Sequence, residues 1–190
     1  MLHLLFLTII THSFAIDQDR GGYYINCDDV INPELNEANL NDREYILPRE
    51  MRVGDEIGLF FHTSSMDPVT IMLFKQLQGY TTDDHESITF YVQHRFRSYQ
   101  TVFNNRKFNN WGQEGSVENQ WRWGWNVPVV IRKRASYFEV ETETFTYRYD
   151  FWHLIDQNSE VRTVLTKGAD LTEISYTCDG WVYNKRRNFD

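Results

Sequence analysis

In V-F-N-N-R-K-F-N-N-W-G-Q-E-G, residues 102–115, one indole (Trp111) follows an asparagine-rich run and stands three positions before a carboxylate, Glu114. Just upstream, F-Y-V-Q-H-R-F (residues 90–96) alternates apolar and polar side chains. Successive side chains of an extended strand point to opposite faces. Tyr91, Gln93, Arg95 and Arg97 then share one face, and Phe90, Val92, His94 and Phe96 the other. A short turn at Arg97–Tyr99 lets the chain return antiparallel through Val102, Phe103 and Asn104, which brings Asn104 toward Arg95. The resulting set of Arg, Asn, Glu and Trp has no nucleophile–base pair and no metal-ligand spacing. It suits a neutral, hydroxyl-rich ligand. The C–H face of a pyranose lies flat on an indole, and planar amide, carboxylate and guanidinium groups chelate its hydroxyls. Each such bond contributes about 0.5–1.5 kcal/mol net, so binding rests on several together. A bond between Arg95 and Glu114 would hold both side chains rigid and preorganise the shelf.

The elements that must position these residues read as strands. Runs of alternating apolar and polar residues, broken by Gly, Asn and Asp, cover Glu56–Phe61, Val69–Gln76, Ile88–Phe96, Gln100–Asn104, Val127–Lys133, Tyr137–Glu143, Thr144–Phe151, Val161–Thr166 and Ile174–Thr177. No stretch carries a long helical period with caps. Short strands at this spacing predict an all-β sandwich or barrel. Trp121, Trp123 and Trp125 alternate; on an extended chain all three share a face, read as core with a ligand platform as the alternative. Residues 16–44 are polar and are expected to form an extension with little regular structure. Residues 179–190 are a tail with one basic run, Lys185–Arg187.

Composition narrows the function. With 19 Lys and Arg against 27 Asp and Glu, the net charge is −8, which disfavours nucleic-acid binding. The first fifteen residues, MLHLLFLTIITHSFA, have an apolar centre and small residues at Ser13 and Ala15. They read as a secretory signal cleaved after Ala15, and they are too short to span a bilayer. For a secreted chain, Cys27 and Cys178 are expected to form a disulfide, the alternative being two buried thiols. No N-x-S/T sequon occurs. The histidines show no metal spacing, and no Gly-rich phosphate loop or G-x-S-x-G is present. One enzymatic reading remains. Glu139, Glu141 and Glu143 alternate on one strand face, with residues i and i+2 roughly 6.5–7 Å apart, against about 5–5.5 Å for the carboxyl pair of a retaining glycosidase. A solvated strand face has the same pattern.

Taken together, the residues from Tyr45 to Cys178 resemble the galectin family. The opening L-P-R-E-M-R-V-G-D-E-I is similar to that family's first proline-then-glycine strand. Phe90–Phe96 lies where the family has H-x-N-x-R-F. V-F-N-N followed by W-G-Q-E is similar to V-x-N and W-G-x-E, with the family's spacing of seven from Asn104 to Trp111. K-G-A-D-L-T-E-I-S-Y resembles the final G-D-L strand. The resemblance implies a two-sheet jelly-roll β-sandwich of the galectin and concanavalin-like type, spanning 45–178. It implies a lectin that binds β-galactosides without a metal or other cofactor. Its partners would be glycans of glycoproteins or glycolipids, and a homodimer would be possible. Trp111 would stack on galactose, Asn104 would bond the 6-hydroxyl, and Arg95 the 4-hydroxyl and ring oxygen. Glu114 would bond the neighbouring sugar and orient Arg95. Tyr91 and Gln93 occupy the family's histidine and first asparagine positions, and Ser116 occupies its second arginine position. These three departures, with the polar extension, leave open a second reading: a galectin fold that has lost sugar binding and recognises a protein.

Overall fold

Period-two patterning resolves into two sheets. The computed structural model describes residues 23–31, 44–75, 87–108, 110–119, 121–154 and 159–178. In chain order its strands are β1 (Tyr23–Tyr24), β2 (Asp29–Ile31), β3 (Glu44–Ile46), β4 (Glu56–His62), β5 (Val69–Phe74), β6 (Ser87–Arg95), β7 (Gln100–Lys107) and β8 (Asn110–Trp111). They continue with β9 (Gly115–Glu118), β10 (Asn126–Lys133), β11 (Tyr137–Thr142), β12 (Thr146–Asp150), β13 (Thr163–Lys167) and β14 (Asp170–Thr177). One sheet runs β1-β3-β13-β5-β6-β7-β8, with β9 also pairing to β7; the other runs β12-β11-β10-β4-β14-β2. Neighbours distant in sequence alternate between the sheets, as in a jelly-roll sandwich. Among the described residues no helix is long and apolar enough to cross a membrane.

The core lies between the sheets. Phe90, Val92 and Phe103 from the first sheet meet Leu59, Phe61, Ile131, Phe138 and Val140 from the second, all buried. Phe90 and Phe138 stack at 4.7 Å across the gap. Full burial of a side chain of this size contributes roughly 1.5–3 kcal/mol, so this face sets the register of β6 and turns Tyr91, Gln93 and Arg95 outward. Between Ile88 and Tyr91 the pairing with β7 shifts register. The shift lets Phe90 enter the core while Ile88 joins Met72, Phe74 and Leu165 in a separate buried cluster, with Tyr91 packed against it.

Three expectations are corrected here. The polar extension is not without structure: β1 pairs parallel with β3 in the first sheet, β2 pairs with β14 in the second, and Ile25 and Ile31 are buried. Its residues 16–22 and 32–43 lie outside the described residues, as do residues 1–15, read from sequence as a signal segment, and the tail 179–190. Short strands bounded by polar residues have too few positions to show alternation, which is why β1 and β2 escape a pattern reading. The Cys27–Cys178 disulfide forms, with Cα atoms 5.3 Å apart, and ties the turn between β1 and β2 to the end of β14. Second, the three tryptophans do not share a face. Trp121 is buried, whereas Trp123 and Trp125 are 63% and 43% exposed. Gly124, at φ +82°, turns the chain there, and the Gly124 N–H donates to the Thr63 carbonyl. Third, Arg97 does not continue the β6 face. It lies in a 3-10 turn, Phe96–Ser98, closed by Tyr99 in the left-handed region at φ 51°.

Candidate functional site

Registry places most of the proposed shelf on the outer face of the first sheet. Residues directly paired across strands share a face. Met72, Tyr91 and Asn104 therefore form one row. Thr70, Gln93, Val102 and Ser116 form the next, and Arg95, Gln100 and Glu118 the third. The expectation that Asn104 sits beside Arg95 is corrected by this register. Asn104 opposes Tyr91, and Arg95 opposes Gln100. The offset of four residues corresponds to about 13 Å along the strand. The Arg95 side chain closes part of that distance by running back along β6. Its Nε donates to Gln93 Oε1 at 3.0 Å, and Gln93 Nε2 donates to Thr70 Oγ1 at 3.3 Å.

Glu114 completes the clamp. Arg95 donates to Glu114 Oε2 at 3.2 Å, with both side chains substantially exposed. An exposed pair of this kind adds little to stability, so its effect is to orient the guanidinium. Trp111 is 49% exposed. Its ring meets Tyr91 edge-on at 5.0 Å and 70°, and the Arg106 guanidinium lies 5.6 Å from its centroid. The exposed half of the indole borders the shelf. Burial pushes the Tyr91 phenol up, opposed by the Thr70 hydrogen bond; it stays neutral, able to donate and accept. Asn104 is the least accessible member at 6% exposed. Its Oδ1 accepts from the Asn105 N–H at 2.8 Å, which leaves Nδ2 to meet a ligand hydroxyl.

The loop carrying Trp111 and Glu114 is held from behind by residues that motif reading passes over. Asn105, buried, donates from Nδ2 to Tyr149 Oη and to the His153 carbonyl, each at 2.9 Å. Tyr149 Oη donates to the Gln113 carbonyl at 2.8 Å. Gly112 N–H donates to the Asn105 carbonyl at 2.9 Å. A Cβ on Gly112 would stand 2.5 Å from Asn105 Nδ2, and one on Gly115 would stand 2.2 Å from Tyr147 Oη. The two glycines flanking Gln113 and Glu114 thus answer to close approach. Arg106 also went unread, although it lies two positions beyond Asn104 and alternation alone puts it on the same face. Asn105, Tyr149 and His153 leave no comparable signal, because their contacts join segments 36 to 48 positions apart.

The carboxylates of the enzymatic reading are otherwise engaged. Arg132 bonds Glu56 at 2.7 Å, Glu139 at 3.3 Å and also Glu141, and Arg134 bonds Glu139 at 2.6 Å. Burial works to raise the Glu139 carboxyl, but Arg134 and Arg132 together hold it below its usual value. That is opposite to what a general acid needs. Glu143 lies beyond the end of β11 and is exposed. Among the described residues, no three His, Cys, Asp or Glu side chains are grouped to hold a metal ion.

Fold and shelf together define a lectin-type β-sandwich with its candidate site on the outer face of one sheet. The sequence profile of the galactoside-binding lectins matches residues 43–176, and the chain belongs to that family, the galectins. Among solved structures, the fold is similar to chicken galectin 2 at TM-score 0.57 and 16% identity, covering 73% of this chain and 99% of that one. It is similar to Xenopus laevis galectin-Ib at 0.54 and 15%, covering 79% and 99%. It is also similar to CG-16, a homodimeric agglutinin from chicken liver, at 0.55 and 12%, covering 68% and 95%. No curated protein matches the chain by sequence.

Proposed function

We propose that this protein is a secreted lectin that binds glycans ending in β-galactosides through the shelf of Tyr91, Gln93, Arg95, Asn104, Trp111 and Glu114, without a metal. The observation that carries the reading is Arg95, held between Gln93 Oε1 and Glu114 Oε2 on the outer face that Trp111 borders. A guanidinium fixed in this way presents its remaining N–H groups to hydroxyls without losing rotamer freedom on binding. Tyr91 and Gln93 stand where an imidazole and a shorter amide, respectively, would be read from the family resemblance. Both keep donor and acceptor capacity, and they set which hydroxyl stereochemistry fits.

The alternative, recognition of a protein by a shelf that no longer holds sugar, draws support from the burial of Asn104 and from the apolar cluster beside Tyr91. A glycan array probed with residues 16–190 and with Trp111→Ala separates the two. Binding to galactose-terminated glycans that disappears in the variant supports the lectin reading. No glycan binding by either protein rejects it and favours the protein-recognition reading.

A further inference from the structure

The shelf is closed on one side and open on the other. Beyond Tyr91, the outer face is filled by Met72, Phe74, Ile88 and Leu165, all buried. A glycan longer than a disaccharide finds no hydroxyl-bonding groups among these side chains. On the opposite side the first sheet ends at β8 and β9, and the second sheet has β12 at its edge. Directly after β12 the chain makes a 3-10 turn, Phe151–His153. This turn is fastened to the shelf loop: His153 Nδ1 lies 3.1 Å from Gln113 Oε1, and the His153 carbonyl accepts from Asn105. Phe151 packs edge-on against the core ring Phe138 at 5.0 Å, and Leu154 is buried. The turn is therefore anchored on both sides of Trp152, yet Trp152 itself is 66% exposed. Its indole rests against the His153 imidazole, with centroids 3.5 Å apart at 34°.

We propose that Trp152, backed by His153, is a second stacking platform. It would contact a glycan one or two residues beyond the sugar at Glu114, so that the protein selects extended chains over a disaccharide. The inference rests on the lectin reading and deepens it. Gln113 connects the platforms: it follows the Trp111–Gly112 pair, precedes Glu114, and contacts the imidazole under Trp152. Trp111 is built on the same plan, an exposed indole steadied by a cationic or π group, here Arg106. In the Gln93 row, β9 contributes only the short hydroxyl of Ser116, so a passing sugar is weakly held there and a contact further along weighs more.

The test is calorimetric titration of residues 16–190 with N-acetyllactosamine and with lacto-N-neotetraose, which carries that disaccharide at its non-reducing end. The wild type is expected to bind the tetrasaccharide at least fivefold more tightly. Trp152→Ala is expected to lose that gain while keeping the disaccharide Kd within twofold, and Trp152→Phe to keep part of it. Trp111→Ala is expected to lose both ligands. Equal wild-type affinity for the two ligands, or a gain that survives Trp152→Ala, overturns the platform and leaves the lectin reading standing. Failure of the wild type to bind either ligand overturns both.

Discussion

Replacing Gly112 by alanine tests the link between the shelf and the core behind it. Gly112 does not adopt the left-handed backbone that favours glycine, so alanine is excluded by space and not by φ. The new methyl would stand 2.5, 2.7 and 2.9 Å from the amide atoms of Asn105. Asn105 cannot yield cheaply, since it is buried and bonds both Tyr149 Oη and the His153 carbonyl. Overpacking costs about 1–3 kcal/mol, and each bond that loosens adds roughly 0.5–1.5 kcal/mol. The expected destabilisation is about 2–4 kcal/mol, read from urea unfolding followed by tryptophan fluorescence. If the loop moves in place of Asn105, Trp111 and Glu114 move with it, and disaccharide affinity falls instead. The decisive measurement is a double-mutant cycle with Asn105→Ala. Removing the amide makes room, so Gly112→Ala in that background should cost under about 0.5 kcal/mol, a coupling in the range expected for touching residues. Additive effects, or a Gly112→Ala protein with unchanged stability and affinity, would refute the close-approach argument.

Arg95→Lys places one compact charge where a planar fork reaches both Gln93 and Glu114. Glycan affinity should fall tenfold or more in titration while the urea midpoint barely moves, because the Glu114 pair is exposed. Arg132→Met leaves Glu56, Glu139 and Glu141 without their shared cation. Unfolding at pH 7 should show a loss of about 3–5 kcal/mol, and a loss under about 1 kcal/mol contradicts the network's role. His94 is buried beside Thr101, Trp121 and Phe96. Burial pushes it from 6.5 down to about 4, against a backbone hydrogen bond with Trp121 that works the other way. The unfolded chain then takes up the proton first. Its contribution to stability is full above pH 6.5 and declines as pH falls toward 4, by on the order of 3 kcal/mol. His94→Gln should flatten that slope in denaturant titrations across pH 4–7, and a slope unchanged by the substitution would rule His94 out as its source.

The sequence alone determined the class of fold and singled out the residues of the candidate site. Alternation in Phe90–Arg95 and in the β11 run follows from one face of each strand being buried, and that demand is visible residue by residue. Trp111, Glu114 and Arg95 were legible for a related reason: large or charged groups at loop ends and on the polar face of a strand stand out against the pattern. Local reading went wrong wherever a turn or a bulge interrupted the alternation. The turn from Arg122 to Trp125 takes Trp123 and Trp125 away from the buried Trp121, and the 3-10 turn after Arg95 takes Arg97 off the face. Asn104 pairs with Tyr91 because of the β6–β7 register, which turn length and core packing settle together. Only the tertiary structure decided what lies behind the site. Asn105 meets Tyr149 and His153, Gly112 makes room for Asn105, and His153 arrives beside Gln113 because two sheet edges converge there. Such contacts join residues far apart in the chain, and they depend on how the sheets stack, a property no short window of sequence contains.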